Sequence, residues 1–227
     1  MKLSIVIPCF NEAHIVETVV RELCQALESA ESSFEIIVVD NGSFDDTPAL
    51  LEELKARIPQ LKAIRIFPNK GYGNGILAGL AIAKGEIVGW MDGDGQCSAQ
   101  DLVKVYETLR SANASFCKAT RVRRGDNRMR IAQSKLYNAL FRFMFHNRCQ
   151  DVNAKPKLFQ RQLLKKLDLQ SRDWFIDAEI IIKASRLGYP ICEVPIAWRE
   201  RTGGSSKVNI KTSFEFLRNM ILYYLCK

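Results

Sequence analysis

Four short apolar runs, each breaking off into glycines, amides or carboxylates, constrain this chain more than any other feature. They are Leu3 to Cys9, Phe34 to Val39, Leu61 to Phe67 and Glu86 to Met91. Leu3 to Cys9 is a short continuous apolar strand, and Glu86 to Met91 reads as a buried one. Three helical stretches separate them. One opens at Phe10-Asn11-Glu12 and runs to about Ser29, one is started by Asp45 or Asp46 and ends near Arg57, and one runs from Tyr72 to Lys84. An Asp at a helix start accepts an orphan backbone N–H and suits the positive end of the helix dipole. The alternation predicts an α/β fold: a doubly wound, mostly parallel sheet with helices on both faces. With 227 residues, 47% of them hydrophobic, the chain can bury a sizeable core, and one domain with an appended C-terminal segment is expected.

The chemistry gathers where the runs stop, at the strand ends where open α/β sheets bind ligands. Asp92-Gly93-Asp94-Gly95-Gln96 alternates oxygen-bearing side chains across glycines. Such a turn can aim three oxygen ligands at one hard divalent cation and leave the other positions to water and phosphate. An ordinary Asp/Gly turn is the plainer alternative. In Asn69-Lys70-Gly71-Tyr72-Gly73-Asn74-Gly75 the glycines either let a helix N-terminus approach an anion or serve a tight turn and close helix packing. The segment is not a dinucleotide fingerprint, because the third glycine of G-x-G-x-x-G would fall at Ile76. The chain carries no Walker A, HExxH or GxSxG pattern, and neither of its histidines, His14 and His146, lies in a catalytic pattern.

A net charge of +8 and a pI near 9.2 point to anionic partners: a nucleotide diphosphate, a nucleic acid or an anionic membrane. The seven cysteines include no CxxC pair, which disfavours zinc and a disulfide framework and fits a reducing compartment. The chain starts directly on strand-like sequence, with no room for a signal peptide. No apolar run reaches the roughly 18 residues a membrane span needs.

Ile5-Val6-Ile7-Pro8-Cys9-Phe10-Asn11-Glu12, Val39-Asp40-Asn41-Gly42-Ser43 with Asp45 and Thr47, Asn69-Lys70-Gly71, and Asp92-Gly93-Asp94-Gly95-Gln96 follow one another in an order and spacing that resembles family-two glycosyltransferases with the GT-A fold. Ala119-Thr120-Arg121, Arg130 to Ser134, Glu193-Val194-Pro195-Ile196 and Arg201-Thr202-Gly203-Gly204-Ser205-Ser206-Lys207 narrow the resemblance to the polyprenyl- or dolichyl-phosphate mannosyl- and glucosyltransferase branch. Two departures stand out. Asn41 takes the place where many relatives carry a second Asp, and Gly93 the place where others carry Ala.

The resemblance implies a GT-A domain over residues 1–210 and a C-terminal amphipathic helix over 211–227 without a membrane span. It implies that Pro8, Asn11, Glu12, Asp40, Lys70 and Asp92 line the donor pocket, taking a GDP- or UDP-linked sugar. Asp92, Asp94 and Gln96 would hold Mg²⁺ or Mn²⁺, with Asp92, Asp94 and Asp151 as the catalytic set. Arg121, Arg130, Ser134, Arg201 and Lys207 would grip the phosphate of a polyprenyl phosphate acceptor, guanidinium forks being suited to bidentate phosphate contacts. Such an acceptor needs no strong general base, because a phosphate monoester's second pKa is about 6. The implied reaction is a single inverting displacement.

A hydroxyl acceptor would need a carboxylate base, with Asp151, Asp177 and Glu179 as candidates. Two readings of other classes stand beside these: a catalytically silent nucleotide-sugar-binding protein, and a nucleic-acid-binding module resting on the basic stretch Lys118 to Arg130, which is disfavoured because no recognition motif accompanies it. Ile131 to Phe145 and Phe214 to Leu225 suit interfacial helices on a membrane, here the cytoplasmic face, or equally a buried or homodimer contact.

Overall fold

The computed structural model describes residues 1–124, 128–199 and 210–225. Its elements in chain order are β1 (Leu3–Cys9), α1 (Val16–Ala30), β2 (Phe34–Asp40), α2 (Thr47–Arg57), β3 (Leu61–Arg65), α3 (Tyr72–Ile82), β4 (Ile87–Trp90), α4 (Ala99–Ser111), β5 (Phe116–Arg124), α5 (Arg128–Phe145), β6 (Lys157–Gln160), α6 (Arg161–Leu167), α7 (Ile176–Arg186), β7 (Cys192–Trp198) and α8 (Ile210–Leu225).

The four runs are four neighbouring strands of a seven-stranded sheet ordered β3-β2-β1-β4-β6-β5-β7, of which β3, at the edge, carries half-buried Lys62 and exposed Arg65. Successive side chains on a strand point to opposite faces, so only a strand covered on both sides is apolar at every position. On β1 the residues Leu3, Ile5 and Ile7 enter the core beneath α1 and α4. Val6 enters the core beneath α3 and α7, which also takes Phe141 of α5 and Met220 of α8. β1, β2, β3 and β4 run parallel, with Cys9 opposite Asp40 and Val6 opposite Trp90. This register brings the C-terminal ends of β1, β2 and β4 together at the point where the strand order reverses, the place where open α/β sheets hold ligands.

The sheet is mostly parallel, as expected, with one exception: β6 runs antiparallel to both β4 and β5. The expected helix at Phe10 begins later, at Val16. Asn11 takes a positive φ of 53°, outside the right-handed helical region, and the first bond of helical spacing runs from Val16 N–H to Glu12 C=O at 2.9 Å. Among the described residues no helix is long and apolar enough to cross a membrane.

Candidate active site

A cleft of about 630 Å³ opens at these strand ends. Its floor is Pro8, Asn41 and the Asp92 turn; its outer wall comes from α5 and α8. The loops after β1 and β2 are knitted together: Asn11 N–H donates to Ser43 Oγ at 2.9 Å, Glu12 N–H to Thr47 Oγ1 at 3.0 Å and Ala13 N–H to Asp45 Oδ2 at 3.1 Å. Pro8 and Glu12 line the cleft. Asn11 and Asp40 stand behind the lining. The Asn11 Oδ1 accepts from Phe44 N–H at 2.8 Å, while Asp40, 1% exposed, accepts from Ser43 N–H at 2.9 Å and faces Arg65 Nε at 3.1 Å. Lys70 is exposed and is not among the lining residues.

Gly71 and Gly73 serve close packing, and Gly71, with φ of 102°, the turn as well. A Cβ on Gly71 would lie 2.4 Å from the carbonyl oxygen of Arg172, and one on Gly73 2.3 Å from that of Ser171. Arg172 C=O also accepts from Asn74 N–H at 2.9 Å, so the loop before α7 covers the start of α3.

Asp92, Asp94 and Gln96 all reach the cleft wall. Asp94 Oδ1 accepts from Gln96 N–H at 3.1 Å, the turn chemistry that presents both carboxylates on one side. Gln96 Nε2 donates to Arg199 C=O at 3.1 Å, which turns its amide oxygen away from that contact. Among the described residues no group of three or more His, Cys, Asp and Glu side chains is gathered for a metal. Two carboxylates and one amide form a hard-oxygen set that fits Mg²⁺ or Mn²⁺ when water and phosphate supply the remaining ligands. Gly93 is required in this turn: its Cβ would lie 2.7 Å from Cys9 Sγ and 2.9 Å from Ile7 Cγ2.

Asp92 has two further partners that sequence reasoning missed. Tyr72 Oη donates to its Oδ1 at 2.7 Å, and Lys155 Nζ lies 3.4 Å from its Oδ2. Burial, then the charges of Asp92 and Asp177, push the Tyr72 hydroxyl well above its usual range, so it remains a donor. Lys155 Nζ is also 3.1 Å from Asp177 Oδ2, and Lys157 pairs with the other Asp177 oxygen. Burial presses Lys155 down, but Asp177 and Asp92 outweigh it and hold the ammonium above its usual range. Lys157 goes the other way: burial, reinforced by Lys155 and Lys118, pushes it down to about 8 against the pull of Asp177. Burial also opposes ionisation of Asp177, yet the two lysines keep its carboxyl below the usual range. Above this group Tyr72 stacks on Trp174, with centroids 4.2 Å apart and planes within 12°.

Of the residues expected to grip an acceptor phosphate, Arg121, Arg130 and Ser134 line the cleft, together with apolar Leu136, Leu140 and Leu217. Arg121 is tied to Asp151 by two bonds of 2.7 Å, Nε to Oδ2 and Nη2 to Oδ1, and its guanidinium lies 5.2 Å from the Trp198 ring. Asp151 thus meets Arg121 and is not among the lining residues. Glu179 accepts from the N–H groups of Gln170 and Ser171 and pairs with Lys183, which makes it a support for the loop before α7. Arg201 and Lys207 lie outside the described residues. Three buried polar atoms belonging to lining residues lack a hydrogen-bond partner among the described residues: Asn41 Oδ1, Asn153 Oδ1 and Tyr137 Oη.

The model of glycosyl transferase family 2 matches residues 4–168. Glycosyltransferase AglD of Haloferax volcanii is 28% identical over 218 residues, covering 92% of this chain and 35% of that protein. An undecaprenyl-phosphate 4-deoxy-4-formamido-L-arabinose transferase of Sodalis glossinidius is 26% identical, covering 97% of this chain and 67% of that protein. The chain therefore spans about a third of the length of the first and two thirds of the second. Among solved structures, the glucosyl-3-phosphoglycerate synthase of Mycobacterium tuberculosis, in complex with Mn²⁺, UDP and phosphoglyceric acid, superposes with a TM-score of 0.74 at 19% identity, covering 98% of this chain and 78% of that one. At that identity the likeness speaks for the fold.

Proposed function

We propose, for a chain that belongs to glycosyl transferase family 2, that it moves a hexose from a nucleotide diphosphate sugar to a polyprenyl phosphate at a membrane surface. The observation that carries this reading is the state of the three candidate bases. Asp151 is committed to Arg121, Asp177 to Lys155 and Lys157, and Glu179 to backbone N–H groups and Lys183. A hydroxyl acceptor needs a carboxylate able to take its proton. A phosphate acceptor arrives already ionised and needs cations instead, and the cleft supplies Arg121 and Arg130 beside Ser134. Asp151 acts here by holding the Arg121 fork in place.

The donor occupies the floor, with Pro8, Glu12 and Asn41 toward its nucleoside and Asp40 fixing the loop behind them. Asp92 and Asp94, with the Gln96 amide, hold Mg²⁺ or Mn²⁺, which when bound neutralises charge gathering on the departing nucleoside diphosphate. With the donor on the floor and the acceptor phosphate under α5, attack comes from the side opposite the leaving group and inverts the anomeric carbon. The acceptor's chain follows the apolar wall of Leu136, Leu140 and Leu217. Beyond it, α5 and α8 expose Met129, Phe143, Leu222 and Leu225, a face suited to lying in a membrane interface. Residues 1–210 serve as the GT-A unit and the C-terminal helix as its acceptor-side wall. The name of the undecaprenyl-phosphate transferase relative agrees with such an acceptor.

A thermal-shift panel of GDP- and UDP-linked sugars with Mg²⁺ or Mn²⁺ tests the donor half, since a ligand that binds only the native state raises its stability by mass action. One base should stabilise the protein in a cation-dependent way. No shift with any nucleotide sugar would remove the donor assignment.

A further inference from the structure

We propose that Lys155 is a built-in competitor for the divalent cation at Asp92, so that the chain takes up the cation together with the donor's diphosphate rather than ahead of it. This rests on the reading of Asp92, Asp94 and Gln96 given above. Lys155 is 6% exposed, and its Nζ sits 3.4 Å from Asp92 Oδ2 and 3.1 Å from Asp177 Oδ2. Lys157 compensates the remaining Asp177 oxygen. Lys155 and Lys157 therefore offset the charges of Asp92 and Asp177 before any cation arrives, and of the two ligand carboxylates only Asp94 adds net negative charge to this group. A divalent ion on Asp92 and Asp94 adds two positive charges beside a buried ammonium, where like charges repel far more strongly than in water.

Lys155 is also hemmed in. The Tyr72 ring lies 5.0 Å and the Trp174 ring 6.0 Å from its Nζ, both favourable to a cation, and Asp177 anchors it from beneath. The ammonium has strong reasons to remain when a metal approaches. A diphosphate reverses the balance, because its negative charges are attracted by the metal and by Lys155 alike, and the lysine passes from competitor to phosphate partner. Were Lys155 only a structural partner of Asp177, its removal would change stability and leave the linkage between cation and nucleotide as it was.

The test is Mn²⁺ binding to the full chain, followed by the electron paramagnetic resonance signal of free Mn²⁺, alone and with UDP or GDP, after correction for the protein-free Mn²⁺–nucleotide complex. Wild type is expected to bind Mn²⁺ weakly alone and at least about ten-fold more tightly with nucleotide, an effect reciprocal for the nucleotide. Lys155→Met and Lys155→Gln are each expected to bind Mn²⁺ alone about ten-fold more tightly than wild type and to show a correspondingly smaller nucleotide effect, the remainder coming from the diphosphate's own bonds to the metal. Unchanged or weaker nucleotide-free binding in a folded variant would overturn the proposal while leaving the metal site standing, provided Asp94→Asn abolishes binding. Should neither Lys155 variant fold, the wild-type arm decides: equal Mn²⁺ affinity with and without nucleotide overturns it. If wild type binds no Mn²⁺ with either nucleotide, the metal assignment itself falls and the proposal with it.

Discussion

Arg121 and Asp151 form a closed two-point pair, with both N–H···O distances at 2.7 Å and the side chains 10% and 7% exposed. The pair fixes the orientation of the Arg121 guanidinium in the cleft wall, where the proposed function places the acceptor's phosphate. Arg121→Ala should raise the acceptor KM roughly ten-fold or more with little change in donor KM, and should cost about 3 kcal/mol of stability by removing the guanidinium that compensates the buried Asp151 carboxylate. Arg121→Lys keeps the charge but not the fork, so it should restore neither fully. Arg130→Ala should raise the acceptor KM in the same way, with donor KM little changed. Steady-state kinetics with each substrate varied, alongside urea melts, separate the two components.

Asp94→Asn should leave the fold intact, since Asp94 is only partly buried, and lower transfer by about a hundred-fold or more through loss of an anionic ligand at the diphosphate. Circular dichroism and initial rates over a range of Mn²⁺ check it. Wild-type turnover by this variant, or full activity in a chelator, would contradict the cation's place.

Gly93→Ala should destabilise the protein by about 1–3 kcal/mol, the usual cost of overpacking, because the new methyl meets Cys9 Sγ at 2.7 Å. Adding Cys9→Ala should recover part of that loss, with Ile7 Cγ2 at 2.9 Å limiting the rescue. A double-mutant cycle by thermal melting gives the coupling, and additivity would show that Cys9 is not the obstacle.

Glu193 supplies a pH signature. Burial raises its pKa, but the Lys118 ammonium, the Thr120 hydroxyl and the Gln150 N–H outweigh this and hold the carboxyl below its ordinary 4.5. A carboxyl depressed on folding adds stability above its unfolded pKa and loses it as pH falls toward the folded one. Wild-type stability should therefore decline from about pH 4.5 downward. Glu193→Gln should give a flatter profile over that range in urea melts taken at successive pH values; an equally steep decline would assign the acid sensitivity elsewhere.

The buried strands were readable because residues such as Ile5, Val6 and Ile7 are apolar without alternation and so require cover on both sides. Asp92, Asp94 and Gln96 were readable because their spacing encodes one turn. The start of α1 was not, since Asn11 takes a left-handed φ of 53° while its N–H and side-chain oxygen bond Ser43 and Phe44, partners far along the chain. Gly71 and Gly73 kept two meanings until the approach of Ser171 and Arg172 decided for packing. Lys155 gave no local signal. A lysine in Ala154-Lys155-Pro156-Lys157 reads as surface charge, and only the antiparallel β6 carries this segment beneath Asp92 and Asp177. Trp174 was silent for the same reason, its role depending on the Tyr72 ring.

The acceptor's phosphate is the claim on which the account turns, and one comparison addresses it directly. The purified chain is given its stabilising nucleotide sugar and Mn²⁺ with either a polyprenyl phosphate or the matching polyprenol, and the lipid product and its anomeric configuration are read by mass spectrometry and NMR. The account expects a polyprenyl phosphate-linked sugar of inverted configuration, with no transfer to the alcohol. Transfer to the polyprenol at a comparable rate, or a product of retained configuration, would contradict it.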